Sequence, residues 1–176
     1  IQDQVGFLTD IGCNLLAWDF YDLPTTQTHN GRTISTAVGF KMAAPEKVVI
    51  CLVGDGGGYA IGLQSLIHTA LRNNPITVIL VNNTTYAMTG GQMAPTTMDQ
   101  QITDSTPSGK NPKIEGKTFL GPELLSKVAW EGAFLARGST EKHLPLKGYF
   151  QKALENQIKN QGLNHKGQKD KMMVKY

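Results

Sequence analysis

The chain has 176 residues, a formal net charge of +3, 40% apolar and 18% charged side chains. That length allows one α/β domain with a sizeable core. The mild charge, much of it in the tail "NHKGQKDKMMVKY", excludes the broad basic face that nucleic acid needs.

The longest apolar run, "VVICLV", is too short to span a bilayer, and no signal peptide opens the chain. Cys13 and Cys51 make neither a disulfide framework nor a paired metal-ligand spacing. A cytoplasmic protein that binds neither membrane nor nucleic acid is therefore expected. The chain opens at Ile1 rather than Met, so a piece of a longer protein is expected.

In chain order, "VGFLTDIG" predicts a short buried strand ending in a turn. "NLLAWDFYDLP" is apolar and aromatic and is closed by Pro24. Polar "TTQTHNGRT" predicts a loop leading into a helix over 33–44, stopped by Pro45. "KVVICLV" is a continuous apolar strand of the kind buried on both faces of a parallel sheet, with Cys51 packed inside it.

GDGGG follows at 54–58. From Leu63, the apolar positions Leu63, Leu66, Ile67, Ala70 and Leu71 recur at helical spacing. "NNP" breaks that helix at 73–75, and "ITVILV" is a second buried strand ending at Asn82-Asn83. Strand, glycine turn, helix and strand make a parallel βαβ unit.

Residues 84–119 are rich in Thr, Gly, Pro and Gln and predict a long loop, which in a compact domain is functional or disordered. A short helix is expected over 122–130 and a strand at "AFLARGS". A last helix is expected over 144–161 with Leu146, Tyr149, Phe150, Ala153, Leu154 and Ile158 on one side. The domain is bounded at 1–161, with 162–176 a basic, disordered tail. No internal repeat is present.

The glycine turn carries the chemistry. In an open α/β sheet, ligands bind beyond the carboxyl ends of the strands. A helix N-terminus there favours an anion, and glycine lets the main chain come close to a phosphate. Asp55 is itself negative, so a divalent cation bridging carboxylate and phosphate reconciles the two. Asn83 stands at the next strand end with a neutral oxygen for the same ion. Alone, GDG is weak, because Asp and Gly also favour ordinary turns. Neither GxGxxG nor a P-loop fits.

GDG at 54–56 followed by Asn82-Asn83 resembles the thiamine diphosphate motif. "GDGGGYAIGLQSLIHTALRNNPITVILVNNTTYAMTGGQMAPTT", with upstream "DIGC", "HNGR" and "STAVGFKMAAP", resembles the β-subunit family of 2-oxoacid:ferredoxin oxidoreductases. The similarity is strong over about 5–110 and weak over 111–161.

The resemblance implies a three-layer αβα sandwich with a mainly parallel sheet, the thiamine diphosphate-binding PP-type fold. It implies that Asp55, the side-chain oxygen of Asn83 and the carbonyl of Thr85 ligate Mg²⁺. Gly54, Gly56 and Gly57 would lie against the diphosphate. His29, Gly31 and Arg32 match the family's His-Gly-Arg segment near the phosphates, with Asn30 interrupting it. Tyr86, Met88 and Thr89 would sit close to the thiazolium ring. Gly57 replaces the second acid of the family's usual GDGD. Cys13 matches a cysteine near the cofactor, which in some members ligates an iron–sulfur cluster. The other thiolates such a cluster needs are missing, so none is expected in this chain.

The activity implied is oxidative decarboxylation of a 2-oxoacid with coenzyme A, giving acyl-CoA, CO₂ and reduced ferredoxin. "TGGQMAPTT" leans toward branched-chain 2-oxoacids or 2-oxoglutarate by the same resemblance. No catalytic residue is assigned to this chain. The glutamate that activates the cofactor is expected on a pyrimidine-domain α subunit, alongside γ and ferredoxin-like δ subunits. The rival readings are another thiamine-dependent decarboxylase, and a non-catalytic or truncated subunit with a structural role.

Overall fold

A computed structural model describes residues 2–171, with side chains as far as residue 160. Four strands form one parallel sheet: β1 (Val5–Thr9), β2 (Thr25–Gln27), β3 (Val48–Gly54) and β4 (Thr77–Val81), in the order β2-β1-β3-β4. The register pairs Leu8 with Cys51 and Cys51 with Val78.

Helices α1 (Thr33–Ala43), α2 (Leu63–Leu71), α3 (Gly121–Val128) and α4 (His143–Lys171) flank the sheet. A two-stranded antiparallel ribbon, β5 (Thr85–Tyr86) and β6 (Gln92–Met93), lies within the long loop. This is the α/β fold with a mainly parallel sheet that the sequence implies.

The core explains the element order. Val49, Cys51 and Val53 of β3 are fully buried and meet Leu8, Ile34, Ala37, Leu66 and Leu125, so α1, α2 and α3 all deliver apolar side chains to one face. Val48, Ile50 and Leu52 on the opposite face are half-buried. The expectation of full burial on both faces is therefore corrected: α1, α2 and α3 cover the Val49–Cys51–Val53 face, and the opposite face of β3 stays half-buried. Cys51 is packing, and its burial pushes the thiol far up from its ordinary range.

Three further readings change. "AFLARGS" is not a strand: residues 133–139 take part in no helix or strand pairing, and Arg137 instead pairs with Glu123 at 2.6 Å on α3. Residues 25–27, expected as loop, are strand β2, because their backbone completes the free edge of β1 (Phe7 opposite Thr25). Helix α4 runs to Lys171, past its expected end at 161; residues 172–176 of the expected tail lie outside the described residues.

The seat of α4 also differs from its apolar pattern. Phe150 and Ile158 are exposed, whereas Gln157 is buried. Gln157 Nε2 donates to the carbonyls of Val49 (2.8 Å) and Pro75 (2.9 Å), and its Oε1 accepts from Thr77 Oγ1 at 3.2 Å. One amide thus satisfies three buried groups. Gln157→Leu leaves them unpaired at once, so a loss of about 2–4 kcal/mol is expected by urea denaturation. A loss under about 0.5 kcal/mol would show that the bonds carry no net stability.

Candidate cofactor site

Parallel pairing places all four strand C-termini on one edge. Gly54 stands beside Val81 and Thr9 beside Gln27, so the segments holding Asp10, His29, Asp55 and Asn83 leave the sheet together. The backbone hydrogen bonds Asp10 N to Leu52 O and Thr28 N to Thr9 O, each 3.0 Å, carry that alignment one residue past the strands.

Asp55 is buried at this edge, and its Oδ2 accepts a hydrogen bond from Thr96 Oγ1. Asn83 is exposed and folds into a local turn, its Oδ1 accepting from the Thr85 amide at 3.2 Å. Asn82 does the same for Thr84 at 3.0 Å. Thr84, between the two, has φ +65, an unfavourable conformation for a β-branched residue. Three bonds hold it there. Its carbonyl accepts from Thr97 Oγ1 at 2.5 Å, its Oγ1 donates to the Asn83 carbonyl at 2.6 Å, and that Oγ1 accepts from Gln101 Nε2 at 2.7 Å.

The glycine turn is crowded from within the protein. A Cβ on Gly56 would lie 2.1 Å from the Tyr86 ring, whose hydroxyl donates to the Gly56 carbonyl at 3.4 Å. Burial raises the Tyr86 hydroxyl above its ordinary range, and Asp55 adds to the shift. A Cβ on Gly57 would lie 1.7 Å from Asp10 Oδ2 and 2.9 Å from Asn30 Oδ1. The chain then makes one π-helical turn, Gly57–Ile61, closed by Gly62 N donating to Gly57 O at 2.8 Å, before α2 begins. Such turns gather at functional sites.

The other expected residues follow the ends of β1, β2 and β4 in the chain. Gly54 is bordered by Asn14 Nδ2, 3.4 Å from its Cβ position, and the preceding Cys13 is exposed. Gly31, at φ +72, packs against the Gly62 backbone, and His29 and Arg32 on either side of it are exposed. Thr89 bonds Gln92 Oε1 at 2.5 Å in the ribbon turn, where Met88 is exposed.

Asp10 and Asn30 were not expected to act together. Both Asp10 oxygens and Asn30 Oδ1 are buried without a hydrogen-bond partner. Burial raises the Asp10 carboxyl from 3.8 to about 6; the amides of Ile11 and Gly31 oppose this without reaching hydrogen-bond geometry. A proton on Asp10 supplies the donor that these oxygens lack.

Because the folded pKa is raised, the native state holds more protons between pH 3.8 and about 6. Stability must therefore fall as pH rises through that window, by about 1–3 kcal/mol. Asp10→Asn should remove this slope in urea titrations at pH 4–7; an unchanged slope would reject it.

Parallel strand ends, a buried aspartate one residue past β3 and a glycine turn that opens a helix are the features of an α/β cofactor-binding domain. The chain belongs to the thiamine pyrophosphate enzymes: residues 10–145 match the family described as "Thiamine pyrophosphate enzyme, C-terminal TPP binding domain".

Among its relatives is the ketoisovalerate oxidoreductase subunit VorA of Methanothermobacter thermautotrophicus, 37% identical over 73% of this chain and 27% of that protein. Another is the 2-oxoglutarate synthase subunit KorB of Methanocaldococcus jannaschii, 39% identical over 88% of this chain and 54% of that protein. A solved structure of the 2-oxoglutarate:ferredoxin oxidoreductase from Magnetococcus marinus, with 2-oxoglutarate, coenzyme A and succinyl-CoA bound, superposes with a TM-score of 0.68. It is 26% identical, covering 73% of this chain and 43% of that one. The chain spans roughly a quarter to a half of the length of these relatives.

The residues present fit thiamine diphosphate with a magnesium ion. The oxygens that would hold the ion, those of the Asp55 carboxylate, the Asn83 carboxamide and the Thr85 carbonyl, suit a hard divalent cation. Among the described residues no cluster of three His, Cys, Asp or Glu offers a competing metal site. None of their helices is long and apolar enough to cross a membrane. Sequence reasoning missed Thr96, Thr97, Asp10 and Lys110; "APTT" within the resembling segment was the one signal for the first two.

Proposed function

We propose that this chain is the thiamine diphosphate- and magnesium-binding portion of a 2-oxoacid:ferredoxin oxidoreductase. In that reading, Asp55, Asn83 Oδ1 and the Thr85 carbonyl hold the ion, and the amides of the 54–57 turn face the diphosphate. His29 and Arg32 add positive charge at its rim, with Cys13 and Gly31 alongside. Tyr86, Met88 and Thr89 line the thiazolium side. When bound, the cofactor supplies a nucleophilic carbon and an electron sink for decarboxylation.

The observation that carries the reading is the placement of buried Asp55 one residue past Gly54, next to the Val81 end of the neighbouring strand. The relatives' names support a 2-oxoacid as substrate, with coenzyme A and ferredoxin as co-reactants. No glutamate stands at the glycine turn, so the group that activates the cofactor is assigned to an α subunit carrying a pyrimidine domain. The γ and ferredoxin-like δ subunits complete the assembly. Two free thiols fit a reducing compartment, the cytoplasm.

Calorimetric titration with thiamine diphosphate, with and without Mg²⁺, tests the reading. Binding that requires the metal is expected. A folded protein giving no heat under both conditions would overturn it. Copurification from the host should bring down a pyrimidine-domain subunit.

A further inference from the structure

The loop between β6 and α3 contains the bulkiest fully buried side chain of the described residues, and it is a lysine. Lys110 is 1% exposed, and among the described residues its ammonium forms no salt bridge. Its Nζ donates to the Thr97 carbonyl at 2.7 Å. An ammonium buried without a counter-ion costs several kcal/mol. Sealing the loop is a task a methionine of similar length would perform without that cost.

What the ammonium holds explains its place. The Thr97 carbonyl also accepts from Thr118 Oγ1 at 2.9 Å, so two donors converge on one peptide. On that peptide's N-terminal side, Thr96 bonds the Asp55 carboxylate; the Thr97 hydroxyl bonds the Thr84 carbonyl. Thr96 and Thr97 therefore tie the tip of β3 to the segment after β4 that carries Asn83 and Thr85. Lys110 is itself fixed in the loop by backbone bonds from Gln100 N to its carbonyl (2.9 Å) and from its amide to the Gln101 carbonyl (3.0 Å). Gln101 in turn reaches Thr84.

We propose that Lys110 is a positioning residue for the metal site: by gripping the Thr97 carbonyl it sets the spacing between Asp55 and the Asn83–Thr85 segment before the ion arrives. The inference rests on the proposed function. Preorganisation of this kind appears in affinity, because a loosened site must be ordered at the expense of binding energy.

The test compares wild type, Lys110→Met, Lys110→Arg, Thr96→Val and the Lys110→Met/Thr96→Val double variant. Each is measured for apo thermal unfolding and for Mg²⁺ affinity at saturating thiamine diphosphate. Lys110→Met should weaken Mg²⁺ binding about tenfold or more while the apo midpoint holds or rises. Lys110→Arg, which keeps a charged donor, should recover most of the affinity. The double variant should lose less than the product of the single losses, because both act through one peptide.

A Lys110→Met protein that binds Mg²⁺ like wild type overturns the inference. So does one that fails to fold, since the lysine then serves the fold rather than the site. Wild type lacking metal-dependent binding is a separate failure, that of the proposed function.

Discussion

Asp55→Ala is expected to weaken magnesium-dependent binding of thiamine diphosphate by at least about 100-fold while leaving the apo fold in place. The carboxylate is the one formal negative charge among the three proposed ligands. The two that remain, a carboxamide and a carbonyl, hold a divalent cation poorly, and the phosphates then face the glycine turn without their bridge. The fold should survive because Asp55 is buried with one hydrogen bond, from Thr96, whose hydroxyl can turn to another acceptor once the carboxylate is gone. Removing a buried carboxylate is also neutral or favourable for the apo state. Asp55→Asn keeps the bond to Thr96 and loses the charge, so its affinity should fall between the two. Calorimetry for binding and thermal unfolding for the apo protein separate these effects. Wild-type affinity in Asp55→Ala would remove the metal assignment.

Gly57→Ala is expected to cost about 2–4 kcal/mol of stability. The added methyl would lie 1.7 Å from Asp10 Oδ2, far inside van der Waals contact. It cannot be relieved by a simple rotation, because Asn30 Oδ1 closes the other side at 2.9 Å. Either the carboxylate or the π-helical turn must shift, and overpacking of this kind typically costs 1–3 kcal/mol or more. The remedy is specific: Asp10→Ala clears the space, so in the Gly57→Ala/Asp10→Ala double variant most of the loss should vanish. A denaturant double-mutant cycle measures this coupling directly. Losses that simply add would show that Asp10 does not occupy the space over Gly57.

That contact also answers why the chain places consecutive glycines after an apolar strand. Each of the three is closed by the protein's own groups: Tyr86 over Gly56, Asp10 over Gly57 and the Leu80 side chain over Gly58. Asp10 also fills the volume that a side chain at 57 would occupy, where the resembling family usually carries an acid. Asn30, which interrupts the His-Gly step, borders the same space over Gly57.

Local pattern sufficed where the signal is local. The run "KVVICLV" could be little but a buried strand, GDGGG little but its terminal turn, and the spacing from Leu63 little but a helix. These three place Asp55 and Asn83 at neighbouring tips before any coordinate is known. The pattern failed where an element depends on its neighbour. "AFLARGS" has strand composition but no strand beside it to complete a ladder, whereas "TTQ" has little apolar content yet pairs with the open edge of β1. Helix α4 presents an apolar stripe, but its anchor is Gln157, because the groups beneath it are carbonyls that need a donor.

The sequence by itself determined the parallel βαβ frame, the strand-end position of Asp55 and Asn83, and the glycine turn between them, since each follows from residue periodicity and backbone freedom within a short window. Only the tertiary structure decided what holds that frame ready: Thr96 on Asp55, Thr97 and Lys110 behind Thr84, and Asp10 with Asn30 over Gly57. Those contacts join residues that lie far apart in the chain, and hydrogen bonding between side chains leaves no periodic trace in the order of the residues that make it.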